Sequence, residues 1–205
     1  AATAASGAAF GTQPVVTVQD SGGNTVTSDS GVVTMTVSSG ATVVGTATAN
    51  ASSGVATFSN VGINGTAGTA YTLTFARASL TSATQSITPT VGAATQLVLT
   101  TSAATAASGA AFGTQPVVTV RDSGGNTVTS DSGVVTMTVS NGASVVGTAT
   151  ANASSGVATF SNVGISGTAG TAYTLTFARA GLTSATQIIP PTVGGDTQMV
   201  LTTSA

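Results

Sequence analysis

The feature that most constrains this chain is a long internal repeat. The string AATAASGAAFGTQPVVTV at positions 1–18 recurs at positions 103–120, an offset of 102 residues. Alignment of positions 1–103 with 103–205 leaves ten differences in 103 pairs, and five of them lie between positions 86 and 97 of the first copy. A period of about 100 residues matches one whole domain and is too long for a solenoid coil. We therefore predict two tandem domains of the same fold.

Within each copy, apolar and polar residues alternate with a period of two. Val33, Met35 and Val37 alternate with threonines, and Tyr71, Leu73 and Phe75 do the same. This alternation is typical of half-buried β-strands, and threonine and valine favour them. The predicted strands are Pro14–Gln19, Val32–Ser38, Val43–Thr48, Gly54–Ser59, Ala70–Arg77, Thr84–Thr90 and Thr95–Thr101. The predicted fold class is all-β, with two tandem immunoglobulin-like antiparallel β-sandwich domains of about seven strands each.

The apolar faces of these strands predict two separate cores. A Tyr at the start of an alternating strand, just after a Gly-Thr turn, also resembles the tyrosine corner of such sandwiches. The predicted core residues of the first copy, each with a partner 102 positions later, are Val16, Val18, Val33, Met35, Val37, Phe58, Tyr71, Leu73 and Phe75.

The segment TQLVLTT at positions 95–101 indicates where one domain ends and the next begins. It precedes the second AATAASG and is predicted to be the first strand of the second domain, whereas the first copy lacks an equivalent. The predicted domains are therefore 1–94 (without its own first strand), 95–196, and a segment 197–205 that repeats this strand. An unfilled strand position exposes core side chains and an unpaired sheet edge.

From this mismatch follows a hypothesis about assembly. The final copy of the strand is expected to pair with the first domain of the next molecule, either by strand donation or as part of one continuous polymer chain. The residues concerned are Thr197, Gln198, Met199, Val200, Leu201, Thr202 and Thr203. The expected partners are thus copies of the chain itself, head-to-tail, or neighbouring repeats.

Composition bears on the chemistry available to the chain. The chain has three Lys or Arg, five Asp or Glu, and no His, Cys or Trp. Such a chain offers no imidazole base and no thiolate nucleophile, so we predict a protein that is not an enzyme and needs no cofactor. Three cations do not form a basic patch, and no stretch approaches the roughly 18 consecutive apolar residues of a membrane helix, so neither nucleic-acid binding nor membrane insertion is expected.

Two acidic turns per copy are weak calcium candidates. Their oxygen-bearing residues are Asp20, Asn24, Asp29, Asp122, Asn126 and Asp131. Calcium takes six to eight oxygen ligands, usually including several carboxylates, and two carboxylates per copy are few. The alternative interpretation is that these side chains accept backbone hydrogen bonds within tight turns. We expect no metal to be needed for folding.

The strings QPVVTVQDSGGNTVTS, GVATFSNVGI, AGTAYTLTF and LTSATQ resemble the bacterial immunoglobulin-like tandem repeats of large surface and secreted proteins, the group that includes intimin and invasin stalks. In that group a V-x-V-x-D-x-x-G-N string marks a strand and its turn, and here it is Val16, Val18, Asp20, Gly23 and Asn24. The resemblance implies a sandwich fold, an extracellular or cell-surface location and a spacer role.

Two functions from different classes are consistent with this sequence. The first is a non-catalytic structural repeat that builds an extracellular fibre, filament or adhesin stalk. The alternative is an adhesion module that binds a host or neighbour-cell glycan or protein through its loop tips. The turn sequences DSGGN and NGTAGT are small and polar, which favours the first function, since binding tips are usually rich in aromatic residues or Arg. The chain starts at Ala1 without an initiator Met, so we interpret it as a piece of a larger protein.

Overall fold

A computed structural model describes residues 4–203, and all their regular structure is β. The first nine strands are β1 Ala8–Ala9, β2 Val15–Thr17, β3 Val32–Val37, β4 Ala41–Gly45, β5 Thr48–Ser52, β6 Val55–Thr57, β7 Val61–Gly65, β8 Tyr71–Ala76 and β9 Ala83–Ile87. The remaining strands are β10 Gln96–Thr101, β11 Ala110–Ala111, β12 Val117–Arg121, β13 Val134–Val139, β14 Ala143–Gly147, β15 Thr150–Ser154, β16 Val157–Thr159, β17 Val163–Gly167, β18 Tyr173–Ala178 and β19 Ala185–Ile189.

The chain divides into two compact units. The first comprises Ala1–Ala94 together with Arg121–Val128, and the second comprises Thr95–Val120 together with Thr129–Ala205. The turn that carries Asp122 and Asn126 therefore belongs to the first unit, although its sequence belongs to the second copy.

Each unit contains one large and one small sheet. In the first unit the large sheet has the order β2-β6-β5-β3-β8-β9 and the small sheet has the order β1-β7-β4. The strand pairs β3 with β8 and β8 with β9 are antiparallel, with Met35 opposite Phe75 and Phe75 opposite Ala83. In the second unit the orders are β10-β12-β16-β15-β13-β18-β19 and β11-β17-β14. The predicted all-β, immunoglobulin-like sandwich fold is confirmed.

Strand alternation builds the core of the first unit. On β3, Val33 and Met35 are buried while Thr34 and Thr36 are exposed. The rings of Phe58 and Phe75 meet edge-on at 5.4 Å between centroids, a favourable aromatic geometry. Of the predicted core residues of this unit, Val16 and Val37 are only partly buried and pack against the cluster from its margin.

Tyr71 connects the two sheets through its hydroxyl group. The buried ring leaves the hydroxyl oxygen to accept a hydrogen bond from the Thr66 N–H at 3.0 Å, and the hydroxyl donates to the Gly40 carbonyl at 3.3 Å. Tyr173 accepts the same bond from the Thr168 N–H at 3.0 Å. A buried Tyr with a bonded hydroxyl is both a core residue and a corner, so the two interpretations of this residue coincide.

The structure corrects the predicted strands between Val43 and Gly65, and it adds the short strands β1 and β11, which the sequence prediction did not include. The predicted strand Val43–Thr48 is wrong because β4 ends at Gly45, at a φ of 76°, and a new strand begins at Thr48. The sequence prediction also missed β7, part of which it assigned to a turn. A Cβ at Gly62 would lie 1.9 Å from the Ala8 carbonyl oxygen, so this strand needs glycine where β1 approaches it.

Candidate assembly site

The carboxylates of the acidic turns in the first copy accept hydrogen bonds from N–H groups of the same chain. Asp20 Oδ1 accepts hydrogen bonds from the N–H groups of Gly22 and Asn24, both at 2.9 Å. The Asp29 carboxylate accepts from the Gly31 N–H at 2.9 Å and forms an ion pair with the Arg77 guanidinium. The bonds from the Gly22 and Gly31 N–H groups are the Asx-turn bonds of the structural alternative described above.

Hydrogen bonds to these carboxylates favour their charged form. The side chain of Asn24, followed by its backbone N–H, lowers the pKa of Asp20 below the ordinary 3.8. The hydrogen bond from Arg77 lowers the pKa of Asp29. For Asp131, burial opposes ionisation, but the hydrogen bonds from Arg179 and the Gly133 N–H together with the Arg179 charge outweigh it and lower the pKa.

The second DSGGN turn has different surroundings from the first, although both belong to the first unit. Asp122 is fully buried, and its Oδ2 accepts a hydrogen bond from the Gly92 N–H at 2.8 Å. The Asn126 side chain donates to the Gly65 carbonyl at 3.0 Å and accepts from the Ala67 N–H at 2.8 Å. The first turn, with the same five residues, is exposed throughout.

Among the calcium candidates, Asn24 donates to Asp20 and Asn126 donates to Asp122, whereas Asp29 and Asp131 pair with Arg77 and Arg179. Across residues 4–203, no three His, Cys, Asp or Glu side chains form a group able to hold a metal ion. The same stretch also lacks a helix with the length and apolar character needed to span a membrane.

In the second unit, β10 occupies the edge position of the large sheet that the sequence predicts for the segment Thr95–Thr101. There β10 lies beside β12 in the large sheet, and its first residue, Gln96, forms a parallel bridge with Thr183, just before β19. The Leu97 N–H donates to the Thr183 carbonyl at 2.8 Å. The Leu97 side chain is only 4% exposed, and on β12 Val118 is 0% exposed. This strand therefore covers apolar side chains between β12 and β19.

In the first unit the same position is an open groove between β2 and β9, which none of residues 4–203 fills. Val15 is 59% exposed, Val16 is partly exposed and Thr17 is exposed, whereas Thr119, the counterpart of Thr17, is buried. We call this the β2/β9 groove. Its lining residues include Pro14, Val15, Val16, Thr17, Val18, Val33, Phe75, Arg77, Leu80, Thr81, Ala83, Thr84 and Gln85.

A glutamine on β19, the last strand of the second unit, binds the backbone of the same chain just after β10. Gln187 donates from Nε2 to the Ala103 carbonyl at 2.7 Å and accepts at Oε1 from the Ala103 N–H at 2.8 Å. Both bonds go to backbone two residues beyond β10, so Gln187 fixes where that strand leaves the sheet. The counterpart in the first unit, Gln85, is exposed and lines the β2/β9 groove.

Sequence reasoning missed this glutamine and the far wall of the groove. The signal was present, because Ala185, Gln187 and Ile189 alternate on β19 and place a polar side chain on the inward face between two apolar ones. An inward-facing amide in a strand indicates a backbone partner that lies close in space.

The predicted assembly residues Thr197–Thr203 lie outside any strand. All seven are exposed, with Met199 at 101%, Val200 at 69% and Leu201 at 84% exposure. This is the same heptapeptide as Thr95–Thr101 except for Met199 in place of Leu97. One copy is thus a buried strand, and the other is unpaired with its apolar side chains in solvent.

Comparison with known proteins gives weak likenesses. No protein-family model matches the sequence, and no curated protein sequence matches it. Among solved structures, a β-glycosidase from Bacteroides vulgatus is 13% identical, with a TM-score of 0.39, over 78% of this chain and 21% of the other. A β-glucuronidase from glycoside hydrolase family 2 is 18% identical, with a TM-score of 0.38, over 92% and 19%.

A third similar structure is the β-glucuronidase of Parabacteroides merdae, 12% identical with a TM-score of 0.37, over 78% of this chain and 21% of the other. This chain thus spans about a fifth of the length of the structures that it resembles. The strands and their antiparallel pairing by themselves define the β-sandwich fold.

Proposed function

We propose that this chain is a non-catalytic structural repeat of an extracellular fibre, filament or adhesin stalk that assembles head-to-tail through its C-terminal strand. The observation that supports this most is the repetition itself. Two copies that differ at ten of 103 aligned positions form sandwiches with matching strand orders, as expected for a unit that is multiplied to gain length.

Two further observations support a mechanical role. The side chains that sequence marked as ligand candidates bind backbone groups of their own turns or of Gly65, Ala67 and Gly92, or they pair with Arg77 and Arg179. The resemblance of the V-x-V-x-D-x-x-G-N string to the repeats of the intimin and invasin group supports a surface location and a spacer role. Resistance to stretching in such a unit comes from the backbone hydrogen bonds between antiparallel strands.

The test is to locate the protein on the cells that make it. Antibodies against the 205-residue chain should label fibres or stalks in immunogold electron microscopy, and cells without the gene should show neither label nor fibres. Label confined to the cell interior would overturn the proposal.

A second measurement separates this proposal from the adhesion alternative. The purified chain is expected to bind no defined glycan on an array. Saturable binding that is lost when the exposed DSGGN turn is replaced would instead support an adhesion module.

A further inference from the structure

We infer that the β2/β9 groove of the first unit is the receptor for Thr197–Thr203 of a second copy of this chain, which enters as an added strand. The inference rests on the proposed head-to-tail assembly and deepens it by naming the receptor. The second unit shows the occupied form of the same groove, because β10 fills it with a segment of nearly the same sequence.

The donor segment is identical at six of seven positions to Thr95–Thr101, the segment that fills the equivalent groove of the second unit. In the occupied groove Leu97 is the buried anchor at 4% exposure, and its counterpart Met199 is fully exposed. Leu-to-Met replacement conserves volume, and the flexible Met side chain adapts to an apolar cavity. Burial of Met199 and covering of Val15 and Val16 would remove apolar surface from water, which is the main driving force of such association.

The receptor also offers its backbone and one side chain. The strand edge of β2 is short, at three residues, whereas β12 beside its partner strand runs for five. An exposed strand edge accepts a further strand through main-chain hydrogen bonds. Gln85, the counterpart of Gln187, is placed to bind the backbone of the strand that leaves the groove.

A second contact would accompany the strand. The Asn126 side chain binds the backbone of Gly65 and Ala67 within the first unit. Its counterpart Asn24 is exposed, and so is Ala169, the counterpart of Ala67. A donor that inserts its strand would place its own Ser166–Ala169 turn against Asn24 of the receptor if it repeats the geometry seen between these segments within the chain.

The resulting contact is between two different surfaces of the same molecule. A contact of this type extends into an open chain unless the rotation between neighbouring molecules closes it into a ring. The donor surface and receptor surface lie on separate residues, which allows each to be disabled without touching the other.

The experiment uses two single variants of the full 205-residue chain. Ala83→Arg places a charged, bulky side chain in the β2/β9 groove, and Met199→Asp places a carboxylate at the donor anchor. Each variant alone should remain monomeric in sedimentation velocity at concentrations where the native chain forms oligomers. Burying the new carboxylate should weaken association by about 100-fold or more.

The decisive measurement is the mixture of these two variants. Ala83→Arg retains a donor strand and Met199→Asp retains a groove, so an equimolar mixture should form a one-to-one dimer and stop there. Matched controls are Ser86→Arg, on the outward face of the same strand as Ala83, and Ile188→Asp, at a side chain that is 70% exposed on the outward face of β19 and lies outside Thr197–Thr203. Both controls should assemble as the native chain does.

Three results would overturn the inference: a native chain that stays monomeric up to millimolar concentration, oligomers that persist in both variants, or a mixture that fails to dimerise. A mixture that dimerises also shows that both variants are folded. A further variant adds Asn24→Ala to the Met199→Asp chain, which supplies the groove. It should weaken the mixed dimer about tenfold, because Asn24 would lose its two hydrogen bonds to the turn of the donor. Failure in any of these leaves the surface location of the fibre as a separate question, which immunogold labelling answers.

Discussion

The two copies of one groove show how differently the same residues behave with and without a neighbouring strand. Val118 and Thr119 on β12 are buried beside β10, whereas Val16 and Thr17 on β2 are partly or fully exposed. The local sequences are identical from Pro14 to Val18 and from Pro116 to Val120. Exposure at these positions is therefore a property of what pairs with the strand.

The two cores, in contrast, are nearly alike. Phe58 and Phe75 meet at 5.4 Å and 65°, and Phe160 and Phe177 meet at 5.4 Å and 64°. The differences between the copies thus lie outside the cores, at the margin that a seventh strand covers and at the DSGGN turns. The predictions below test this contrast between matching cores and differing margins, and they run from the largest expected effect to the smallest.

The largest expected effects come from the two cores, which should respond equally to the loss of a buried ring. Phe75→Ala and Phe177→Ala should each destabilise their own unit by about 3–5 kcal/mol, because each removes a buried ring and leaves a cavity. Denaturant unfolding, monitored by amide hydrogen exchange in each unit, measures the loss of stability for both substitutions. A loss below about 1 kcal/mol for Phe75→Ala would contradict its place in the core.

The two copies of the TQ(L/M)VLTT segment should respond very differently to substitution. Leu97→Ala should destabilise the second unit by about 2–5 kcal/mol, since Leu97 is buried between β12 and β19. Met199→Ala, at the counterpart position, should change the stability of the dilute monomer by less than about 0.5 kcal/mol, since Met199 is in solvent. Equal effects of the two substitutions would mean that Met199 packs on its own chain.

Substitutions of Gln187 and its counterpart Gln85 test how the chain is held just after β10. Gln187→Ala removes two hydrogen bonds to Ala103 and should cost about 1–2 kcal/mol in the second unit. Gln85→Ala is the matched control and should cost less, because the Gln85 side chain is exposed. Faster amide exchange at Ala103 in Gln187→Ala is the direct signature, and an unchanged rate would remove Gln187 from this role.

Acid should weaken the Asp29–Arg77 and Asp131–Arg179 ion pairs alike, with the smallest effect of the four. The folded pKa values of Asp29 and Asp131 lie below the ordinary 3.8, so the unfolded chain binds more protons in acid. The stabilising contribution is complete above that value and is lost as pH falls through the folded pKa. Unfolding midpoints of the native chain and of Asp29→Asn and Asp131→Asn should therefore converge below pH 3.8. Midpoints whose separation does not change with pH would contradict this linkage.

Much of the fold followed from local patterns. Alternation along Val33, Met35 and Val37 indicated a strand with one buried face, and the repeat indicated that any fold adopted once is adopted twice. The unmatched TQMVLTT string also indicated a strand position without an occupant in the first copy. Each of these conclusions depends on residues close in sequence or on direct comparison of two strings.

What only the tertiary structure decided concerns neighbours far apart in sequence. The period of two says which face of a strand is apolar, but it does not say that β9 forms the far wall of the β2/β9 groove or that Gln187 reaches back 84 residues to Ala103. Identical DSGGN strings likewise gave no hint that Asp122 is buried while Asp20 is exposed. Burial and hydrogen-bond partners depend on which segments pack together, and two identical strings differ in these properties whenever their spatial neighbours differ.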